Sequence, residues 1–232
     1  MSSLSRPHVS VLMPCHNGAA WLEEAIRSVL VQTRSDIELL VYDDGSTDAS
    51  WSLIERMAAG DERVVPIHGS PNKGIVHALT AMLNHARGSF IARMDADDIC
   101  FPSRFEQQLA FLDQQKVGLC GSWFQEFGGG LPRNVRWPHR PEELDAAMLF
   151  QNTICHPTVM ARREVFEAFA YRAEYNLAEE YDLFVRAGQR FRLANVPEVL
   201  LRYRRHPEQA TRAKRGRMEQ LTQGIRLQAL EA

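Results

Sequence analysis

Apolar residues along this chain follow two alternating patterns. The runs 9–13, 37–42, 64–68 and 89–94 are short and mostly apolar, which suits strands buried on both faces of a parallel sheet. The stretches between them, 19–31, 49–59 and 75–86, read as helices. In the first, Leu22, Ala25, Ile26, Val29 and Leu30 recur at i, i+3, i+4, i+7 and i+8 and define one buried face. Pro14 reads as the end of the first strand, and Gly88 as the stop of the third helix. Strand–helix alternation with short connections predicts an α/β chain built on a doubly wound, mostly parallel sheet.

Beyond residue 94 the pattern is less regular. An amphipathic helix over 102–115 carries Phe105, Leu109 and Leu112 on one face, and a strand over 117–127 runs into Gly128, Gly129 and Gly130. Residues 131–141 are irregular and 142–150 read as a helix. Residues 153–161 mix loop and strand, and 163–170 are a short helix. Two strands, 190–194 and 198–203, flank Asn195, Val196 and Pro197, and a final helix spans 214–230. The pattern divides the chain into a first lobe at 1–116, a smaller C-terminal lobe at 117–210 and a terminal helix at 211–232, with 1–7 as a loose tail.

Candidate chemistry gathers where the predicted strands end. Three polar clusters, 14–17, 43–46 and 95–98, follow apolar runs, and in open α/β sheets ligands bind beyond the carboxyl ends of the strands. In the third, Asp95, Asp97 and Asp98 fall within four residues. Carboxylates repel one another and are costly to bury unpaired. A hard divalent cation such as Mg2+ or Mn2+ relieves that conflict. The competing reading is that Asp97 or Asp98 caps the helix that Pro102 introduces. The first strand is followed by no Gly-x-Gly-x-x-Gly, and no Gly-x-x-x-x-Gly-Lys-Ser/Thr occurs, so neither a dinucleotide fingerprint nor a P-loop is present. Diphosphate charge would then have to be met by a metal and by side chains.

Composition narrows the classes further. The formal net charge of −2 argues against a general nucleic-acid binder. Cys15, Cys100, Cys120 and Cys155 are scattered without metal-site spacing, which suits reduced thiols in a cytoplasmic protein. No signal-peptide pattern and no long apolar run occur, so neither a secretory leader nor a membrane-spanning helix is expected. Two charged segments carry open alternatives. Glu179, Glu180 and Asp182 precede an apolar helical pattern, either as acids favoured at a helix N-terminus or as a general base at the rim of a cleft. Arg202, Arg204, Arg205, Arg212, Lys214, Arg215 and Arg217 form a basic run, either a solvated helix face or a contact for anionic lipid headgroups at the inner face of a membrane.

Seven segments, in this order, together resemble a family 2 glycosyltransferase with the GT-A fold. They are the stretch 9–18, Asp43-Asp44-Gly45-Ser46, Asn72-Lys73-Gly74, the run 92–98 ending in Asp95-Ala96-Asp97-Asp98, His156-Pro157, Glu179-Glu180-Tyr181-Asp182, and Tyr203-Arg204-Arg205-His206. The likeness covers about 8–208. It implies an inverting, metal-dependent hexosyl- or N-acetylhexosaminyl-transferase. Such an enzyme moves a sugar from a UDP-sugar to a glycan or lipid-linked acceptor in surface-polysaccharide assembly. It also implies roles. Pro14 and His16 would line the nucleotide pocket, Asp44 would accept from the uracil N3–H, and Lys73 would lie near the base or diphosphate. Asp95 would hold the ribose, and Asp97 and His206 would bind Mn2+ or Mg2+. His156 falls in a family motif as either a structural hydrogen-bonding group or an acceptor contact. Similar enzymes carry Asp where this chain has Glu180, the implied base, which leaves Glu179 and Asp182 in reserve. Two other classes compete. A sugar-1-phosphate nucleotidyltransferase would need a glycine-rich N-terminal loop that is absent here. A non-catalytic sugar-nucleotide-binding subunit would bind donor without transfer.

Overall fold

The computed structural model describes residues 7–207 and 215–231. Its centre is a nine-stranded sheet. Strands β1 (Val9–Cys15), β2 (Ile37–Asp44), β3 (Val64–Gly69) and β4 (Phe90–Arg93) form its parallel half, in the order β3-β2-β1-β4. The other half continues through β8 (Met160–Arg162), antiparallel to β4, then β6 (Leu119–Phe127), β9 (Leu193–Arg204) and β5 (Ile99–Cys100). A short β7 (Arg133–Val135) pairs with β6.

Side chains alternate across a sheet, and here the alternation sorts the core into two layers. Val9, Val11 and Met13 of β1, with Leu39 and Val41 of β2, join one layer. That layer holds helices α1 (Leu22–Leu30), α2 (Ser50–Gly60) and α4 (Arg104–Gln115). Leu12, Leu40 and Tyr42 join the other layer. It holds α3 (Ile75–His85), α5 (Pro141–Met148), α6 (Arg163–Ala168), α7 (Glu179–Gly188) and α8 (Arg215–Glu231). Each layer draws residues from both sides of position 117. All four cysteines are buried and free.

Several boundaries differ from the sequence expectation, each for a local reason. Pro14 does not end β1, which continues to Cys15 opposite Asp43. Leu12 faces β4 through its carbonyl, so Pro14 faces the same side, where β4 has already ended at Arg93. The missing proline N–H therefore interrupts no ladder. The first helix begins at Leu22 because the amides before it are committed elsewhere. Gly18 N–H donates to Ser50 Oγ at 2.9 Å and Ala19 N–H to Asp48 Oδ2 at 3.1 Å. The two strands expected around Pro197 are one strand, β9. Its pairing with β6 jumps from Ser122–Val196 to Trp123–Val199, a bulge that absorbs Pro197. Asp97 and Asp98 do not cap a helix, since α4 starts only at Arg104.

Candidate active site

The carboxyl end of β4 is held rigidly before it turns. Arg104, fully buried on α4, donates from Nη2 to the Arg93 carbonyl at 2.8 Å and to the Val159 carbonyl at 3.2 Å. Beyond that clamp one oxygen from each of Asp95, Asp97 and Asp98 lies within 4.8 Å of the others. The three carboxylates have different surroundings. Asp95 is ion-paired with Arg93. Asp97 Oδ2 sits 2.9 Å from His206 Nε2. Asp98 Oδ1 accepts from the Arg204 N–H at 2.8 Å, while its Oδ2 is buried without a partner. Burial, reinforced by the charges of Asp95 and Asp97, pushes the Asp98 carboxyl well above the usual carboxylate range. Burial also raises Asp95, and the adjacent guanidinium of Arg93 opposes that rise.

A cavity of about 500 Å³ opens beside this cluster. Asp95 and Asp97 line it together with His156, Glu179 and Glu180. His156, Glu179 and Glu180 each bring one polar atom within 4.8 Å of the others. The first turn of α7 supplies the two glutamates. Leu177, just before it, has φ +92°, a left-handed conformation rare for a residue with a branched side chain, and its N–H donates to Glu179 Oε2 at 2.7 Å. The local bend thus brings Glu179 back over its own helix start. Glu180 Oε1 accepts from Asn152 Nδ2 at 3.3 Å. Burial first, then the neighbouring Glu179, pushes the Glu180 carboxyl up to about 8. Burial raises Glu179 as well. His156 Nε2 lies 2.9 Å from the Tyr171 hydroxyl, and burial with the Arg93 charge holds the imidazole well below its ordinary pKa.

The other sequence-derived candidates occupy a neighbouring region at the carboxyl ends of β1 and β2. His16 Nδ1 is 2.9 Å from the Asp44 carbonyl oxygen. The buried Asp44 carboxylate accepts from the N–H groups of Lys73 at 2.9 Å and Gly74 at 2.8 Å. Gly45 turns this loop with φ +67°, and a Cβ there would meet the Asn72 nitrogen at 2.7 Å. Pro14, the residue of β1 paired with Tyr42, lies at the same end. Pro14, His16, Asp44 and Lys73 do not line the acidic cavity; Lys73 lines a smaller adjoining one with His77, Tyr171 and Asn176. Asp182 does not line the acidic cavity either: Arg172 and Arg186 bind its two oxygens, with Arg186 Nη2 at 2.6 Å.

Sequence reasoning assigned no role to Arg93. It is 4% exposed, lines the cavity, and has no partner on Nε or Nη1. The available signal was a cation inside an otherwise apolar strand. Phe124 and Trp137, which also line the cavity, were missed, and Tyr203 was named in a family segment without a role, because the three come from separate segments. The basic run does not form one solvated face. Arg202 stacks on Phe127 with its guanidinium carbon 4.2 Å from the ring centroid, Arg204 donates to Glu24 Oε2 at 2.5 Å, and Arg205 pairs with Glu126 at 3.2 Å. Arg217 is exposed on α8, and Arg212 and Lys214 lie outside the described residues. Among the described residues no helix is long and apolar enough to cross a membrane.

A sheet with a parallel half, helices on both faces, and an acidic cluster where its central strand ends is the GT-A architecture of glycosyltransferases. A family model described as "Glycosyl transferase family 2" matches residues 10–169. The chain belongs to that family. It is 35% identical over 209 residues to a putative glycosyltransferase, EpsE, of Bacillus subtilis, covering 86% of this chain and 74% of that protein. Among solved structures it superposes on S. aureus TarS 1–349 in complex with UDP-GlcNAc with TM-score 0.78 and 18% identity, covering 94% of this chain and 65% of that one. It also superposes on the mannosyltransferase PcManGT of Pyrobaculum calidifontis in complex with GDP-Man and Mn2+. There the TM-score is 0.76 and the identity 21%, covering 98% of this chain and 65% of the other. The chain thus spans about two-thirds of the length of these solved chains.

Proposed function

We propose that the protein transfers a sugar, with inversion, from a UDP-sugar to a hydroxyl of a glycan or lipid-linked acceptor, with Glu180 as general base. Surface-polysaccharide assembly is the setting that the family resemblance implies. The observation that carries the reading is Glu180 on a cavity wall shared with Asp95 and Asp97, its carboxyl raised to about 8. A general base works best with a pKa near the operating pH, because it must be ionised often and still hold a proton well.

In this reading Asp44 meets the uracil N3–H with lone pairs left over from its two backbone hydrogen bonds, and Pro14, His16 and Lys73 border the nucleotide. Asp95 holds the ribose. The donor set at Asp97 and His206, with the unpartnered Asp98 oxygen behind it, fits Mn2+ or Mg2+. Asp97 and His206 would hold the ion, which when bound offsets the charge of the departing diphosphate. Glu180 takes the proton of the acceptor hydroxyl, whose oxygen attacks the anomeric carbon from the face opposite the leaving group. Asn152, donating to Glu180 Oε1 at 3.3 Å, orients that carboxylate. The UDP-GlcNAc complex of TarS supports UDP as the donor nucleotide, and the GDP-Man complex of PcManGT makes GDP-sugars the comparison in the donor screen.

The test is a donor screen with UDP-, GDP- and dTDP-sugars, read as hydrolysis and as a shift of the melting midpoint. UDP-sugars are expected to be hydrolysed and to raise the midpoint. NMR of the transferred product should show the anomeric configuration inverted. Retention would overturn the single displacement, and release of inorganic diphosphate from a nucleoside triphosphate and a sugar-1-phosphate would mark a nucleotidyltransferase instead.

A further inference from the structure

The cavity that holds Glu180 also reaches residues of β6, β9 and the loop before α5. There Phe124, Trp137 and Tyr203 line it. Their rings form one connected surface. The Phe124 and Trp137 centroids are 5.4 Å apart in an edge-on arrangement, and the Phe124 and Tyr203 centroids are 5.7 Å apart. Phe124 is buried behind, while Trp137 and Tyr203 are only half-buried and face the cavity as lining residues. The loop that carries Trp137 is tied down, because Trp123 Nε1 donates to the Trp137 carbonyl at 2.9 Å. A pair of anchored aromatic faces over an aqueous cavity suits a ligand that is apolar on one side and polar at its edge.

Charge selects between the acceptors that could sit there. Of the described lining residues, two are cationic, and each already sits against a carboxylate: Arg93 against Asp95, and Arg205 against Glu126 at 3.2 Å. Arg93 Nε and Nη1 are enclosed and have no hydrogen-bond partner, and the same guanidinium is ion-paired with Asp95. Glu179 and Glu180 bring two further carboxyl groups to the same space. A phosphate entering as the attacking group would meet a wall of carboxyl groups, with each lining cation already held against one of them. A sugar ring would instead lay its C–H face on the aromatic rings and direct its hydroxyls to the carboxylates.

We propose that Trp137 and Tyr203, backed by Phe124, are the acceptor platform, and that the group presented to Glu180 is a hydroxyl of an uncharged sugar ring rather than the phosphate of a bare lipid carrier. This rests on the reading of the protein as a transferase from UDP-sugars. It narrows the acceptor to a chain that already ends in a sugar, so the reaction that supplies the substrate is an earlier glycosylation or glycosyl-phosphate transfer.

The experiment uses the full chain with the UDP-sugar that it hydrolyses. The acceptor probes are a panel of p-nitrophenyl hexosides, neutral and uronic, with farnesyl phosphate as the alternative. Neutral hexosides should accelerate consumption of the UDP-sugar saturably, while farnesyl phosphate and the uronides should not. Trp137→Ala should raise the half-saturating hexoside concentration about 10- to 100-fold, since a buried ring face contributes on that scale. The KM for the UDP-sugar should move much less, and Trp137→Phe should recover most of the loss. Tyr203→Ala, checked with Trp137→Ala for an intact melting transition, supplies a second reading if the loop variant does not fold. Glycosylation of farnesyl phosphate, no response to any neutral hexoside, or equal changes in both KM values would overturn the platform. If the wild-type chain hydrolyses no UDP-sugar, the functional reading itself fails, and the platform with it.

Discussion

The two ends of this site contrast in how their polar groups are satisfied. At the carboxyl ends of β1 and β2 the Asp44 carboxylate accepts two backbone hydrogen bonds, and Asn17 Oδ1 accepts from the Thr47 N–H at 2.8 Å, so the loops fasten one another, with Asp43 Oδ1 the one buried oxygen there without a partner among the described residues. At the end of β4 buried groups are left short. Asp98 Oδ2 and two Arg93 nitrogens have no partner, and the buried Glu179 and half-buried Glu180 stand side by side on one cavity wall. Unmet buried polar groups cost stability, and carboxyl pKa values are displaced here as expected where charge is to be handled. A largely satisfied end can hold a ligand in place, whereas an end with several unmet groups is arranged for charge that arrives with one. The contrast separates positioning from chemistry within a single sheet edge.

That contrast can be broken at several points. The largest effect is expected at the end of β4. Asp97→Asn should lower transfer about 1,000-fold or more, on the scale of a lost metal ligand, with the melting transition retained. Full activity of the wild-type protein in excess EDTA would remove the metal from the scheme. Next, Glu180→Gln should cost about 100- to 10,000-fold in kcat while UDP affinity, measured by calorimetry, is kept. Near wild-type transfer by that variant, with Glu179→Gln inactive, would move the base by one residue.

At the carboxyl ends of β1 and β2 the expected change is in stability. Asp44→Ala strips the acceptor from the Lys73 and Gly74 amides and should cost about 1–3 kcal/mol in denaturant unfolding. A fall in UDP affinity with unchanged stability would mean that the carboxylate serves the ligand alone.

The smallest effect is a pH shift. With its folded pKa raised to about 8, Glu180 is protonated below that value, so the kcat profile should rise as pH passes upward through about 8. Removing the neighbouring charge with Glu179→Gln should move that rise to lower pH, since a like charge disfavours ionisation. Stability follows the same group with the opposite sign. The folded state keeps a proton that the unfolded state has lost, so Glu180 costs stability progressively as pH rises from the unfolded pKa toward about 8. Unfolding of Glu180→Gln should therefore lose less stability than wild type across that window. An identical pH dependence of the two proteins would show that Glu180 is not displaced.

The alternating strand–helix order, the two-layer core and the acidic run 95–98 were legible in the sequence because they are local. Hydrophobic period and turn residues act over a few positions, and three carboxylates within four residues conflict in any fold. The resemblance to family 2 glycosyltransferases rested on such local segments, and the match over residues 10–169 agrees with it. Tertiary structure alone decided which of these segments share a cavity. It brought Glu179 and Glu180 beside Asp95, engaged Asp182 with Arg172 and Arg186, and kept Asp44 at a separate end. It let Pro14 and Pro197 lie inside strands, because one proline faces a side without a partner and the other sits in a bulge. It also turned much of the basic run inward, with Arg204 reaching Glu24 and the Asp97 carbonyl. The aromatic surface at Phe124, Trp137 and Tyr203 had no sequence signature. Its members lie up to 79 positions apart, and pairing of β6 with β9 and β7 brings them together. Contacts of that range depend on strand register, which a local hydrophobic pattern does not encode by itself.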